Sequence, residues 1–124
     1  MSVPVYNHYE EAFTINSPQV KGQPTSQEQV SNTGEVMQIV FTVGMFPGDS
    51  ITCTLNVLDE NGVVLFTSGA KPPGSSTVFW PYSSNMPFCV SGGADKSCQV
   101  QFVLSGPTTN SGGGTVMANM FIKA

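Results

Sequence analysis

The chain has 124 residues, of which only 10% are charged, and its net charge at neutral pH is −4. It has four scattered lysines and no arginine, so it lacks the cationic cluster that neutralises phosphate groups, and we expect neither nucleic acid nor an anionic membrane surface as a partner. Thirteen glycines, nine prolines and few strong helix formers predict one domain rich in strands and turns.

The beginning of the chain has neither the basic region nor the apolar core of a signal peptide. The apolar runs elsewhere are too short to span a bilayer. We therefore expect synthesis in a cytoplasm and no membrane-spanning segment.

Residues 1–34 are predicted to form an N-terminal arm. A first strand is expected at Glu11–Asn16, because Phe13 and Ile15 alternate with Ala12 and Thr14. The following polar stretch, from Ser17 to Gly34, is broken by two prolines and predicts a long surface loop or an extended arm. An ordinary mobile terminus is the alternative.

The arm carries more aromatic residues than a solvated tail usually does. This favours a role in contacting a partner, and the candidate partner-binding residues there are Tyr6, Tyr9, Phe13 and Ile15.

Residues 35–124 are predicted to form the β-sandwich domain. Its first strand covers Glu35–Val43, and the residues expected to face the core are Met37, Ile39, Phe41 and Val43. A central hairpin follows between Ser50 and Gly69. Apolar and polar residues alternate before the turn Asp59–Gly62, and a run rich in strand-forming residues follows it from Val63 to Thr67.

Two turns fit Asp59–Gly62. A two-residue loop of type I′ would use Asn61 and Gly62, whereas a three-residue loop would place Gly62 in the left-handed conformation. Asp at the first position and Gly at the fourth favour the three-residue loop. The predicted register puts Cys53, Leu55, Val57, Val63 and Leu65 on one face, and Leu58, Val64 and Phe66 on the other.

Further strands are predicted at Thr77–Tyr82, Phe88–Val90, Cys98–Leu104 and Thr115–Lys123. The last strand is apolar at nearly every residue, which suits a buried central strand or a subunit interface. The whole pattern predicts an all-β fold, an antiparallel β-sandwich or jelly roll of about seven to eight strands with an extended N-terminal arm.

The sequence contains no constellation typical of catalysis. Its one histidine, His8, lies in the arm, and most carboxylates lie in turns, where they bond to the backbone. Neither glycine-rich stretch precedes a helix, so no phosphate loop is predicted. We expect no enzymatic activity, no catalytic residues, no metal site and no cofactor.

Cys89 and Cys98 flank a short polar loop between two predicted strands. Facing strands bring cysteines within bridging distance, so a disulfide between them and two free thiols at the base of a hairpin are both compatible with the sequence. Cys53 alternates with polar residues and is expected to be buried.

Phe79, Trp80 and Tyr82 form the densest aromatic cluster. The single tryptophan of a sandwich is most often a core residue. If Trp80 and Tyr82 point outward, they provide rigid surfaces for stacking on a sugar ring or filling a pocket of a partner, so they are also candidate partner-binding residues.

The arm through Gly34, the Ser50–Gly69 hairpin and the strand running to Ala124 together give an overall plan that resembles the decoration (cement) proteins of tailed-phage capsids. The resemblance implies a non-enzymatic structural protein on the virion surface, often trimeric, which clamps capsid proteins and uses a terminal arm to add a strand to a neighbour. A carbohydrate-binding, lectin-like sandwich and a fibre or tail adhesion module are the alternatives. A secreted domain held by a Cys89–Cys98 disulfide is a third possibility.

Overall fold

The computed structural model describes residues 8–16, 24–45, 51–84, 86–93, 97–106 and 115–123, and within these ranges the side chains from Gln27 onward. These residues form nine strands: β1 (His8–Asn16), β2 (Pro24–Gln29), β3 (Gly34–Val43), β4 (Cys53–Leu58), β5 (Val64–Lys71), β6 (Ser76–Phe79), β7 (Cys89–Val90), β8 (Gln99–Leu104) and β9 (Thr115–Lys123). In the ranges described, the structure has no helix long and apolar enough to cross a membrane.

The strands form two antiparallel sheets. The first sheet has the order β1-β9-β3-β6, with the two-residue strand β7 also paired to β3, and the second has the order β2-β8-β4-β5. The pairs are nested about the β4–β5 turn: β4 pairs with β5, β3 with β6, β2 with β8 and β1 with β9, alternating between the two sheets. A long hairpin rolled in this way is a jelly roll, so the predicted fold class is confirmed.

The core lies between the two sheets and is built by alternation along the strands. The inward side chains of β3, β8 and β9 are buried: Ile39, Phe41, Val43, Val100, Phe102, Leu104, Val116, Ala118, Met120 and Ile122. Phe41 and Phe102 join the sheets, with ring centroids 6.1 Å apart. Each large apolar side chain buried in this way contributes about 1.5–3 kcal/mol.

The final strand is a buried central strand, one of the two alternatives that its apolar sequence left open. β9 pairs with β1 on one side and with β3 on the other. It therefore supplies backbone hydrogen bonds in both directions as well as inward side chains.

The turn of the central hairpin has the predicted three-residue form. The Gly62 amide donates to the Asp59 carbonyl oxygen over 3.0 Å, the Asp59 amide donates to the Val63 carbonyl oxygen over 2.8 Å, and Gly62 has a φ of 82°. The Asp59 carboxylate accepts from the amides of Asn61 and Val63, each at 2.8 Å. Asp59 therefore fixes the turn from both its backbone and its side chain.

The predicted register beyond this turn is wrong. Leu58 is paired with Val64, but Val57 is paired with Phe66, so one extra residue of β5 bulges out between these two pairs. The bulge puts Phe66 on the same side as Val57, whereas the sequence placed them on opposite faces. Val63 is exposed rather than directed to the core.

A second bulge corrects the assignment of Met37. The register of β3 against β9 shifts between Val36 and Gln38, and Val36 is fully buried while Met37 is only partly buried. Both residues are apolar, so alternation alone did not show which of them faces the core.

The stretch Ser17–Gly34, expected as a loop or arm, contains a strand. β2 pairs with β8 at the edge of the second sheet, and Gln27, Glu28 and Gln29 are exposed. Pro24 begins the strand, where its missing N–H is tolerated at an edge. The predicted strand at Glu11–Asn16 is confirmed and longer, since β1 begins at His8. The division of the chain at residue 34 into arm and domain stays a prediction.

Candidate functional site

A groove lies on the side of the sandwich where β5 ends one sheet and β6 ends the other. We call it the edge groove. It encloses about 520 Å³ between Val64 and Phe66 of β5, Val78 and Phe79 of β6, and four residues that follow β6: Trp80, Pro81, Ser84 and Met86. Along this side of the jelly roll, β5 and β6 are the last strands of their sheets and do not pair with each other. The groove therefore lies between two edge strands.

The floor of the edge groove is aromatic. The rings of Phe66 and Phe79 meet edge to face with centroids 5.1 Å apart, and those of Phe66 and Phe88 are stacked at 5.8 Å. All three side chains are partly buried and pack against the core. Because the β5 bulge turns Phe66 toward this cluster, the floor depends on a register that the sequence did not show.

The rim of the edge groove is apolar and exposed. Relative exposure is 52% for Val64, 46% for Val78, 53% for Trp80 and 75% for Met86. Single exposed apolar residues are common, but a contiguous apolar patch marks an interaction surface.

Local hydrogen bonds position the part of the rim that follows β6. The Ser84 amide donates to the Trp80 carbonyl oxygen over 3.0 Å and the Met86 amide donates to the Pro81 carbonyl oxygen over 3.3 Å. The Ser84 hydroxyl also donates to Pro81, over 3.3 Å. These bonds accompany turns at residues 81–84, and both Trp80 and Met86 line the same groove.

No described residue that lines the edge groove has an ionisable side chain. The polar side-chain groups among them are the hydroxyls of Thr67 and Ser84 and the indole N–H of Trp80. The nearest described cation is the Lys71 ammonium, whose nitrogen lies 5.6 Å from the centroid of the Phe79 ring. Such a surface is suited to binding apolar groups and not to acid–base chemistry.

Of the predicted partner-binding residues, the structure brings Trp80 into the edge groove. Its exposure contradicts the expectation that the single tryptophan is a core residue. Tyr82 is 55% exposed in the same segment but does not line the groove. Sequence reasoning missed Val64, Val78 and Met86, because an apolar residue in or beside a predicted strand is normally assigned to the core.

The arm candidates lie elsewhere. On β1, Tyr9 is paired with Ile122, Phe13 with Ala118 and Ile15 with Val116, and those three residues of β9 are buried. Tyr6 lies outside the described residues. The partner-binding role of these four residues stays a prediction.

The three cysteines are free thiols, so the disulfide between Cys89 and Cys98 is not formed in the structure. Cys89 is exposed and Cys98 is buried. Cys53 is buried as expected, and burial raises the pKa of its thiol to about 12, which keeps it protonated and unreactive at neutral pH.

A second hollow, of about 430 Å³, lies beside the β4–β5 turn and includes Glu60, Ser91 and both Cys89 and Cys98. The Ser91 hydroxyl donates to the Glu60 carboxylate over 3.1 Å, and the Ser91 amide donates to the Cys98 sulfur over 3.3 Å. Within the described ranges, no three His, Cys, Asp or Glu side chains are grouped so that they could hold a metal ion.

No protein-family model matches this chain, and no curated protein matches it. Among solved structures, a chain in the structure of infectious bursal disease virus, strain Gx, is similar with a TM-score of 0.34 and 13% identity, over 92% of this chain and 32% of that one. This chain thus spans about a third of that chain's length. A similarity of this degree says nothing about what this chain does.

Proposed function

We propose that the chain is a non-enzymatic structural protein of a virion, which binds a capsid surface and stabilises it in the manner of a decoration or cement protein. The observation that carries the proposal is the edge groove, whose exposed apolar rim lies over an aromatic floor. A partner that covers the rim removes four half-exposed apolar side chains from water, at about 25 cal/mol for each Å² of apolar surface.

The fold is compatible with this function but does not by itself imply it. Jelly rolls occur in viral capsid domains and in lectins, and one fold serves many functions. The overall plan that resembles decoration proteins favours the first of these two classes. The expected partner is a capsid protein, and the expected location is the virion surface.

The resemblance also favours a homo-oligomer, with a trimer as the first choice. Closed homo-oligomers match the symmetric positions of a capsid lattice, since each subunit then meets the same neighbour. Strand addition to a neighbour by the N-terminal segment belongs to the same proposal. Because β1 is paired with β9 within the chain, that addition would use the outer edge of β1, where the sheet ends.

Antibodies raised against the purified protein test the proposed location. Immunogold electron microscopy of particles of the encoding virus should show label on intact capsids, at regular positions. Labelling of disrupted particles or cell debris alone would contradict a place on the virion surface. Particles of an unrelated virus, labelled in parallel, control for nonspecific adsorption.

A glycan is the second candidate partner, favoured by the exposure of Trp80 and Tyr82. An aromatic ring that is half exposed stacks on the apolar face of a sugar. On a glycan array, the protein should then bind a defined sugar, and Trp80→Ala should abolish that binding while the circular dichroism spectrum stays unchanged. If no glycan is bound, or if binding survives Trp80→Ala, this candidate is rejected.

A further inference from the structure

We propose that the occupant of the edge groove is an extended, uncharged apolar segment of the partner protein, held by its side chains and not by strand addition. The inference rests on the proposed function, because it specifies which part of the partner this surface takes. It follows from the size of the groove, its charge and the backbone of its two edge strands.

The size of the groove fits a segment better than a folded surface. Its volume of about 520 Å³ lies within the range of roughly 300–1,000 Å³ found for sites that enclose a compact ligand. A stable interface between two folded copies buries about 800 Å² on each partner. The rim has only four exposed apolar side chains, and three of them are already about half covered: Val64, Val78 and Trp80. They provide only part of that area.

The charge of the groove disfavours a charged segment. None of the described side chains that line it is ionisable, and the Lys71 ammonium lies against the Phe79 ring at the floor. An ammonium group of the partner would therefore lose its water without gaining an opposite charge. A carboxylate would find one described cation nearby, the Lys71 ammonium, and that group lies over the Phe79 ring. An apolar residue of the partner has no hydrated charge to lose, and this holds for leucine, isoleucine, valine, proline and the aromatic residues.

The edge strands are poorly shaped for strand addition. The register of β5 against β4 shifts twice, Gly69 in β5 has a φ of 71°, and β6 has only four residues. Bulges and short strands interrupt the regular row of backbone groups that a new strand needs. The partner is therefore recognised by its side chains.

The test uses overlapping 15-residue peptides that tile the capsid proteins of the encoding virus, presented on an array. Trp80 is the only tryptophan in the chain, so its fluorescence in solution reports whether a bound peptide occupies the groove. We expect the bound peptides to share an uncharged apolar stretch and to shift the Trp80 emission to shorter wavelengths.

Three variants locate the binding. Val64→Asp and Val78→Asp place a charge on the rim and should weaken peptide binding at least tenfold. Val63→Asp is the matched control, because Val63 precedes Val64 in the chain and is 59% exposed but does not line the groove; it should bind within twofold of the original chain. Thermal unfolding midpoints of the three variants show whether each is folded.

Several results would overturn the inference. These are peptides bound through charged residues, equal binding by Val64→Asp and Val63→Asp, or an array on which nothing binds. Self-association of the original chain that Val64→Asp alone abolishes would instead make the groove an interface between copies. Particle labelling is a separate experiment, so the proposed function can fail while peptide binding succeeds, and the reverse.

Discussion

Packing at Gly34 leaves no room for a side chain. This residue begins β3 beside Lys123, and a Cβ built there would enter the Lys123 carbonyl group and approach the Ile122 Cγ2 to 2.9 Å. Its φ of 154° also disfavours other residues. By contrast, a Cβ on Gly62 meets nothing within 4 Å, so only its φ of 82° opposes a side chain.

The two glycines therefore give a matched pair of substitutions. Gly62→Ala should lower the free energy of unfolding by about 1–2 kcal/mol, the cost of a left-handed non-glycine residue. Gly34→Ala should cost more, about 3 kcal/mol, because backbone must also move. Urea denaturation of both variants measures the difference, and equal losses would show that the β3–β9 contact at Gly34 is not as close as described.

Cys53 makes the free energy of unfolding depend on pH in the alkaline range. Its pKa is raised from 9.0 to about 12 by burial, so the unfolded chain releases this proton at a lower pH than the folded chain. The free energy of unfolding should therefore fall between about pH 9 and pH 12, by up to about 1.4 kcal/mol for each pH unit.

Cys53→Ala removes this titration and controls for other groups that ionise in the same range. The difference in unfolding free energy between the original chain and Cys53→Ala should shrink as the pH rises through that window. A constant difference from pH 8 to pH 11 would show that the thiol is not held protonated by burial.

At the scale of elements, the first two strands determine whether residues 35–124 form a domain alone. β1 and β2 end the two sheets on the side opposite the edge groove, and Val30, just after β2, is fully buried. Removing residues 1–34 takes away both strands and uncovers β9 and β8. We expect the shortened chain to lose cooperative thermal unfolding.

A chain that begins at His8 keeps every described strand and is the control for that deletion. If residues 35–124 unfold cooperatively near the midpoint of the full chain, the first two strands are dispensable and the predicted division into arm and domain holds.

The elements that the sequence predicted well are those with one buried face. In β8 apolar and polar residues alternate up to Gln101, and each alternate side chain is buried, because a strand between two neighbours in a sandwich must present one face to the core. In β9 burial also alternates, but its sequence is apolar on both faces, so only the existence of that strand was predictable. The Asp59–Gly62 turn was predictable for a different reason, since its hydrogen bonds are made within the turn itself.

Two kinds of physical reason explain why the sequence did not predict the other features. β2 has a polar sequence because an edge strand needs only backbone pairing, so no alternation marks it. Bulges beside Met37 and Phe66 change which face each following residue occupies, and their apolar neighbours hide the change. The exposure of Trp80 depends on the gap between two sheets, which no local pattern encodes.

At the scale of the whole molecule, the proposed trimer is tested by light scattering coupled to size exclusion. One chain has a mass of 13.1 kDa, so a stable trimer should give a mass three times larger that does not change on dilution. A monomer at all concentrations would contradict assembly before binding, although a single copy bound to a capsid would remain compatible with the edge groove.

The central claim is that the edge groove attaches this protein to a virion. The most direct measurement is the number of copies that co-sediment with particles of the encoding virus from which the protein has been removed, for the original chain, Val64→Asp and Val63→Asp. We predict saturable binding of the original chain and Val63→Asp, and loss of binding by folded Val64→Asp. Equal co-sedimentation of all three would contradict the role of the groove, and failure of the original chain to bind would contradict the proposed function.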